Sequence, residues 1–550
     1  HFVKNERNLV SLSMISVFVG FFLSTATPTF LPDDQPAPRA SRVGAMSPRL
    51  LSLSRARPSL PGVPASVPPS PRRRVPARPR GVSRMISPRA SSDAAPRARH
   101  DVVVVGNGPV GSAVARHVAE AGKSVLVLDG SDTLTSASND VGRIVRPLDA
   151  EGRETWTEWN VRSIDAFPSI EARSGIEFFR KCGSLACGTP AFVEKPRRRL
   201  EEARVAHVSH ASGGDVERAF PFLNVPKTHV AVSDAVGGFV DPGKMIQAQN
   251  AIMLSVSHTG ASNRARKTSC AVVRDSAVGV DRREEEEEEE RGAKKKAAPF
   301  AVRTKKGATY EADAVVLAGG AYTRWLASSS GLLPVENIPA KNEDGLSPEK
   351  TRRSGVGAIR NSRRTVLLAE VTEATARGAL RDMPTVKYQF APEREARGNE
   401  KETKKETEKE NSHSRNEAMS VYVLPPILYP GPDPPKGWYV KIGGGANDFF
   451  DDSAAGTARV VEDLDAWMRS DGDEAVADAL HDVLVSLMPD VNFLSLVSKP
   501  CVTTCTDDGE LQCDALGGGG VFAVSGCQGK AAGPADAIGR DVAEAVIEAM

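Results

Sequence analysis

The sequence predicts a two-domain α/β fold, and three observations predict it. A strand, a glycine-rich turn, a helix and a second strand follow one another within Asp101–Asp129. A further apolar strand, Tyr310–Leu317, runs late in the chain into Ala318-Gly-Gly-Ala321. Strand-like text farther on is interrupted by long charged runs, the pattern of hairpins with expanded loops.

Each part of the first unit has a local cause. Asp101-Val-Val-Val-Val105 is a β-branched run suited to a strand buried on both faces. Gly106-Asn-Gly108-Pro-Val-Gly111 follows at once. Val110, Val114 and Val118, with Ala113 and Ala121, then recur at helical spacing, and Gly122 suits the turn that ends the helix. Ser124–Leu128 is a second buried strand ending on Asp129, about 20 residues after the glycines. Gly106 permits the tight turn, Gly108 lets a pyrophosphate approach the backbone, and Gly111 lets the helix pack on the strands. The helix N-terminus offers unbonded N–H groups and the positive end of its dipole, and Pro109 sits where a missing N–H does no harm. Asp129 can accept bonds from ribose hydroxyls. Together these parts read as a Rossmann-like dinucleotide site; the bland alternative is an ordinary βαβ unit with chance glycines. The pattern alone does not separate NAD from FAD. Tyr310–Leu317, ending in small residues, resembles the second FAD-contact strand of two-domain flavoproteins.

The rest of the chain bounds the answer. Its 550 residues suit two or three domains, but three stretches lack the apolar residues to fold. The net charge of +1 points to no nucleic acid or acidic partner. Seven cysteines, an odd number without disulfide spacing, read as reduced thiols. The beginning at His1 reads as a fragment, a processed end or an artefact, with Met46 a candidate start. Leu9–Leu23 is apolar but shorter than the roughly 20 residues a spanning helix needs. It is a signal peptide or a mistranslated leader, and no stable membrane span is expected. Gln35–Ser92 contains no Asp or Glu and is rich in Arg, Ser and Pro. That is the composition of an organelle transit peptide, chloroplast ahead of mitochondrion, or of a functionless tail. Glu284–Glu290, with Lys294–Lys296, and the run Glu393–Glu417 should be solvated insertions, either expanded loops or interaction tails. The expected flanking strands are Cys270–Val273 and Phe300–Val302 for the first, and Val421–Leu424 and Trp438–Ile442 for the second.

Four further patches make the chain, from Asp101 to its end, resemble the amine-oxidising flavoproteins of the D-amino-acid oxidase superfamily. The resemblance is greatest to the sarcosine oxidase and N-methyltryptophan oxidase type. Ser138-Asn-Asp140 with Arg143-Ile-Val-Arg146 is similar to the family's flavin-flanking loop. The resemblance implies that Arg143 and Ile144 border the flavin and that Arg146 grips a substrate carboxylate. Without it, the patch is a surface RxxR. Trp438-Tyr-Val-Lys441-Ile-Gly-Gly is similar to the strand bearing the oxygen-activating lysine; the bland alternative for Lys441 is a snorkelling side chain on an edge strand. Lys499-Pro-Cys501-Val-Thr-Thr resembles the site where a cysteine forms a thioether to the flavin, against the alternative of a structural thiol at Cys501. Cys505, Cys513 and Cys527 lie near it, but their spacings fit no zinc knuckle, and no metal is expected. Val521–Lys530 resembles the C-terminal flavin loop, with Gly526 and Gly529 at the flavin, Lys530 as second cation for the carboxylate, and a helix starting near Ala531.

The resemblance implies an FAD-binding domain from 100–180, 239–332 and 504–550. An antiparallel-sheet substrate domain would come from 181–238 and 333–503. A leader at 1–99 and insertions at 282–297 and 392–418 complete the expected layout. It implies hydride transfer from an amino acid or N-alkyl amino acid to flavin N5, hydrolysis of the imine, and reduction of molecular oxygen to hydrogen peroxide by a monomer. The family's histidine and tyrosine on the amine side are replaced by Gly445 and Thr503, so sarcosine itself is not the expected substrate. The rivals are a carrier-linked dehydrogenase of a hydroxy or amino acid, and a flavin-binding protein without turnover.

Overall fold

The structure, a computed structural model, describes residues 99–132, 136–259, 269–283, 287–290, 293–296, 299–333, 355–390, 420–450 and 458–550. Apart from Arg99, the expected leader lies outside the described residues, as does the insertion 392–418; the insertion 282–297 is described only in part. Among the described residues no helix is long and apolar enough to cross a membrane.

The valine run forms β1 (Arg99–Val105), buried on both faces. α1 (Pro109–Glu120) crosses back over the sheet to β2 (Val125–Asp129), which runs parallel to β1 with Val105 opposite Leu128. Thr309–Leu317 lies parallel on the other side of β1, with Leu317 opposite Val105. Cys270–Arg274 extends this parallel set beyond β2, and Val521–Ser525 extends it beyond Thr309–Leu317. Ala277–Arg282, Phe300–Thr304 and Gln512–Leu516 complete an eight-stranded mixed sheet. The carboxyl ends of the five parallel strands converge, which is where open α/β sheets bind ligands.

A second sheet has nine strands. Eight run in the order Asp448–Phe449, Arg360–Val371, Gly437–Gly444, Ser420–Tyr429, Thr385–Gln389, Ser184–Gly188, Val230–Asp234 and His207–His210. Leu496–Cys505 pairs with Arg360–Val371. Every pairing is antiparallel except that of Thr385–Gln389 with Ser184–Gly188. A small antiparallel sheet holds β3 (Arg143–Val145), Gly238–Val240 and Phe179–Lys181. The fold is therefore α/β, with one mostly parallel and one mostly antiparallel layer inside a single unit, Ser91–Met550.

Three local expectations are corrected. The acidic run joins Ala277–Arg282 to Phe300–Thr304 as an antiparallel hairpin, so Cys270–Val273 is not its flank; it pairs with β2. The second run joins Thr385–Gln389 to Ser420–Tyr429, with Gln389 opposite Ser420. The closing helix runs over Ala535–Ala549, as expected of the amphipathic stretch Ala535–Met550, but no helix starts near Ala531. A Cβ at Gly533 would lie 2.7 Å from the Ile144 carbonyl oxygen, so the chain must first pass β3 as a turn.

Candidate active site

A cavity of about 1000 Å³ opens where the parallel strands end, and it continues along the antiparallel sheet. Its lining includes Gly106, Gly108, Asp129, Arg143, Ile144, Arg146, Lys441, Cys501, Gly529 and Lys530. Gly111 and Gly526 are not among its lining residues.

The glycine-rich turn is built as a cradle. Gly106 has φ +106°, and a Cβ there would overlap the carbonyl of Ala318 at the end of the neighbouring strand. A Cβ at Gly111 would overlap the Gly106 carbonyl, so the helix meets the turn at backbone distance. A Cβ at Gly108 would meet nothing within 4 Å. That glycine faces open cavity, and as helix N-cap it supplies no side chain to cover the first-turn N–H groups. Asn107 donates to Asp129 at 3.3 Å, and Asn250 donates to Asn107 at 3.1 Å. The remaining amide oxygen of Asn250 is buried without a partner. Free N–H groups at a helix N-terminus, a carboxylate at the tip of β2 and an unused acceptor fit the phosphates and ribose of a dinucleotide.

Arg143, at the start of β3, and Arg146, just past its end, belong to different groups. Arg143 donates to Asp140 at 2.6 Å, to the Gly142 carbonyl at 2.9 Å and to the Ala137 carbonyl. Lys441 joins the same carboxylate. It is only 1% exposed, on a strand flanked by Arg360–Val371 and Ser420–Tyr429, so it is no snorkelling edge lysine. Its Nζ donates to Asp140 and, at 3.0 Å, to the Gly142 carbonyl. Asp140 also accepts from the Tyr429 hydroxyl and the Val141 N–H, both at 2.8 Å. Burial pushes the Asp140 carboxyl up, but Lys441 and Arg143 outweigh it and hold it well below the usual carboxylate range. Burial and then Arg143 lower the Lys441 ammonium, against the pull of Asp140.

Arg146 points to a second group. Its backbone N–H donates to Asn160, and its Nη1 is buried with no partner. Nearby, Lys530 donates to Asp149 at 2.8 Å and to Glu151. Burial and Glu151 raise the Asp149 carboxyl against Lys530, while Lys530 and Lys387 outweigh burial and lower Glu151. Burial lowers the Lys530 ammonium, but Glu151 and Asp149 outweigh it. Lys530 is thus a clamp between two carboxylates and not a spare cation. Among the described residues of this wall, Arg146 is the cation with a buried donor unused.

Cys501 lies opposite Arg364 in the sheet and carries a free thiol, as do all seven cysteines. Arg364 donates to Thr503 at 3.3 Å, to the carbonyls of Gly445 and Ala446 at 2.7 and 2.8 Å, and to Asn447. The guanidinium thus covers the two positions where the family's amine-side residues are missing. Asp140, Asp149, Glu151 and Arg364 are partners that the sequence alone did not disclose. Asp140 did stand in the flavin-flanking loop, and an acid three residues before an arginine was the available signal.

Residues 101–343 match the family of FAD dependent oxidoreductases. N-methyl-L-tryptophan oxidase of Yersinia pestis (strain Pestoides F) is 26% identical over 145 residues, which are 26% of this chain and 38% of that enzyme. The chain thus aligns with well under half the length of this curated relative. NikD, an unusual amino acid oxidase essential for nikkomycin biosynthesis, superposes with a TM-score of 0.55 at 18% identity, over 82% of this chain and 94% of NikD. Glycine oxidase from Geobacillus kaustophilus gives 0.52 at 14% identity, over 82% and 96%. These two likenesses concern the fold.

Proposed function

We propose, for a chain whose residues 101–343 belong to the FAD-dependent oxidoreductases, that it oxidises a carboxylate-bearing amine, an amino acid or N-alkyl amino acid, with oxygen as final acceptor. The observation that carries this reading is Arg146, which lines the cavity and has a buried Nη1 without a partner. A buried donor left unsatisfied costs about 1–3 kcal/mol, which a substrate carboxylate would relieve through a charge-assisted bond.

When bound, the flavin supplies the redox chemistry, taking a hydride and delivering two electrons to oxygen as hydrogen peroxide. The protein's own residues hold and orient. Gly106, Gly108, Gly111 and Asp129 receive the ADP half. Arg143, Ile144 and Gly529 would border the ring, with Cys501 as the thioether tether, and Gly526 would turn the chain outside the cavity lining. Arg146 fixes the carboxylate and so sets which carbon faces the ring. Lys441 is a fixed cation in the wall for charge that develops on oxygen. Lys530 braces the loop carrying Arg146 instead of acting as a second grip.

Anaerobic flavin bleaching against a panel of amino acids and N-methyl amino acids tests the reading; no bleaching by any of them would reject it. Acid precipitation should leave the yellow colour in the pellet, and Cys501→Ser should release it. The rival reading is a dehydrogenase with a carrier as acceptor. Oxygen uptake during turnover separates the two. The leader's composition supports organelle targeting, chloroplast first, which a fluorescent fusion of residues 1–99 would test.

A further inference from the structure

We propose that Asp140 is the positioning residue for Lys441, holding it in the cavity wall as a cation and thereby sustaining the oxygen half-reaction. The inference rests on the oxidase reading above. Lys441 has two described partners, Asp140 and the Gly142 carbonyl, and only one of them carries charge. The other ionisable groups around it are Arg143, which repels an ammonium, and Cys501; Tyr422 and Tyr429 border the same carboxylate and guanidinium. An ammonium buried there without Asp140 would give up its proton.

Asp140 does not depend on the lysine for its own place. The Val141 N–H and the Tyr429 hydroxyl fix one carboxylate oxygen, and Arg143 fixes the other. Lys441 and Arg143 line the cavity and Asp140 does not, although its side chain is 15% exposed against 2% for Lys441. Its bonds to Lys441 and Arg143 are its route to the cavity. Two cations share one carboxylate, so the group keeps a positive charge toward the cavity. A preorganised charge of this kind is what a developing oxygen anion needs.

The test uses flavin-loaded wild type, Asp140→Asn, Lys441→Met and the double variant, with stopped-flow timing of both half-reactions. In Asp140→Asn, reduction by substrate should stay within about tenfold of wild type. Reoxidation should slow by about 100-fold at alkaline pH, as in Lys441→Met. As the pH falls, Asp140→Asn should recover, because an unpartnered buried lysine regains its proton only near about pH 5–6. Lys441→Met should not recover.

Thermal unfolding against pH gives a readout free of turnover. In Asp140→Asn the folded chain binds fewer protons at Lys441 than the unfolded chain, so stability should rise with pH. That rise should vanish in the double variant. If Asp140→Asn alone does not accumulate, the double variant should, because it removes the stranded charge; its failure as well would overturn the proposal. Equal slowing of both half-reactions at every pH would make Asp140 merely structural and also overturn it. Wild-type reoxidation in Lys441→Met would reject the oxygen role of Lys441 and, with it, this proposal. Flat unfolding profiles in Asp140→Asn would reject the link between Asp140 and Lys441 alone.

Discussion

Two charged groups share the wall of one cavity but are built in opposite ratios. Around Asp140, one carboxylate serves two cations, Lys441 and Arg143. Around Lys530, one ammonium serves two carboxylates, Asp149 and Glu151. The first group has a single point of failure, whereas the second has a spare. Their relation to ligands differs too, since the partner atoms around Asp140 are used, while Arg146 beside the second group keeps an unused buried donor.

The largest expected effect follows from those ratios. Asp140→Asn should cost about 3–5 kcal/mol of stability, because it strands buried positive charge. Asp149→Asn should cost about 1 kcal/mol or less, since Glu151 still holds Lys530 and a carboxylate–carboxylate repulsion disappears. Denaturant unfolding of the two variants measures both, and equal losses would break the comparison. Next in size, Arg146→Ala should weaken binding of a simple carboxylate inhibitor by about 100-fold, the worth of a charge-assisted bond, without changing flavin content. Flavin absorbance titration reports it. Unaltered inhibitor affinity would make the unused donor irrelevant to ligands.

The smallest effect is one of sign. The folded Asp149 carboxyl is raised, by burial first and Glu151 second. Its folded state keeps a proton that the unfolded chain releases, so its contribution falls as pH rises above the ordinary carboxylate value. Asp140 is lowered, so its contribution is present above that ordinary value and is lost as pH falls through the folded one. Stability–pH curves should therefore lose an alkaline-side decline in Asp149→Asn and an acid-side decline in Asp140→Asn. Each decline is worth about 1.4 kcal/mol for every tenfold difference in proton affinity between the folded and unfolded chain.

What the sequence disclosed followed from distance along the chain. The unit from β1 to β2 was legible because the valine run, the glycines and the helical spacing are neighbours, and the structure reproduces each. Lys441 was legible as a lysine among apolar residues, but its partner was not, because Asp140 lies 301 positions away. The same holds for Lys530, separated by 381 and 379 positions from Asp149 and Glu151. A cation read in isolation looks like a ligand for an anion; only the fold shows whether the protein already supplies one. The hairpin flanks were not legible, because local apolar text marks a strand without saying which strand pairs with it.

The pairing of Val521–Ser525 with Thr309–Leu317 also bears on how the protein is made. Gly539 in the last helix lies so near α1 that a Cβ would sit 2.5 Å from the Ala113 Cβ, so the two helices are fitted at backbone distance. During synthesis the dinucleotide cradle leaves the ribosome long before the wall strand and the helix that backs α1. The nascent chain must therefore keep one face of α1 and one edge of Thr309–Leu317 unpaired until those later elements have emerged. The cradle is therefore backed by its last helix and walled by its last parallel strand only after some of the most distant parts of the chain have joined it.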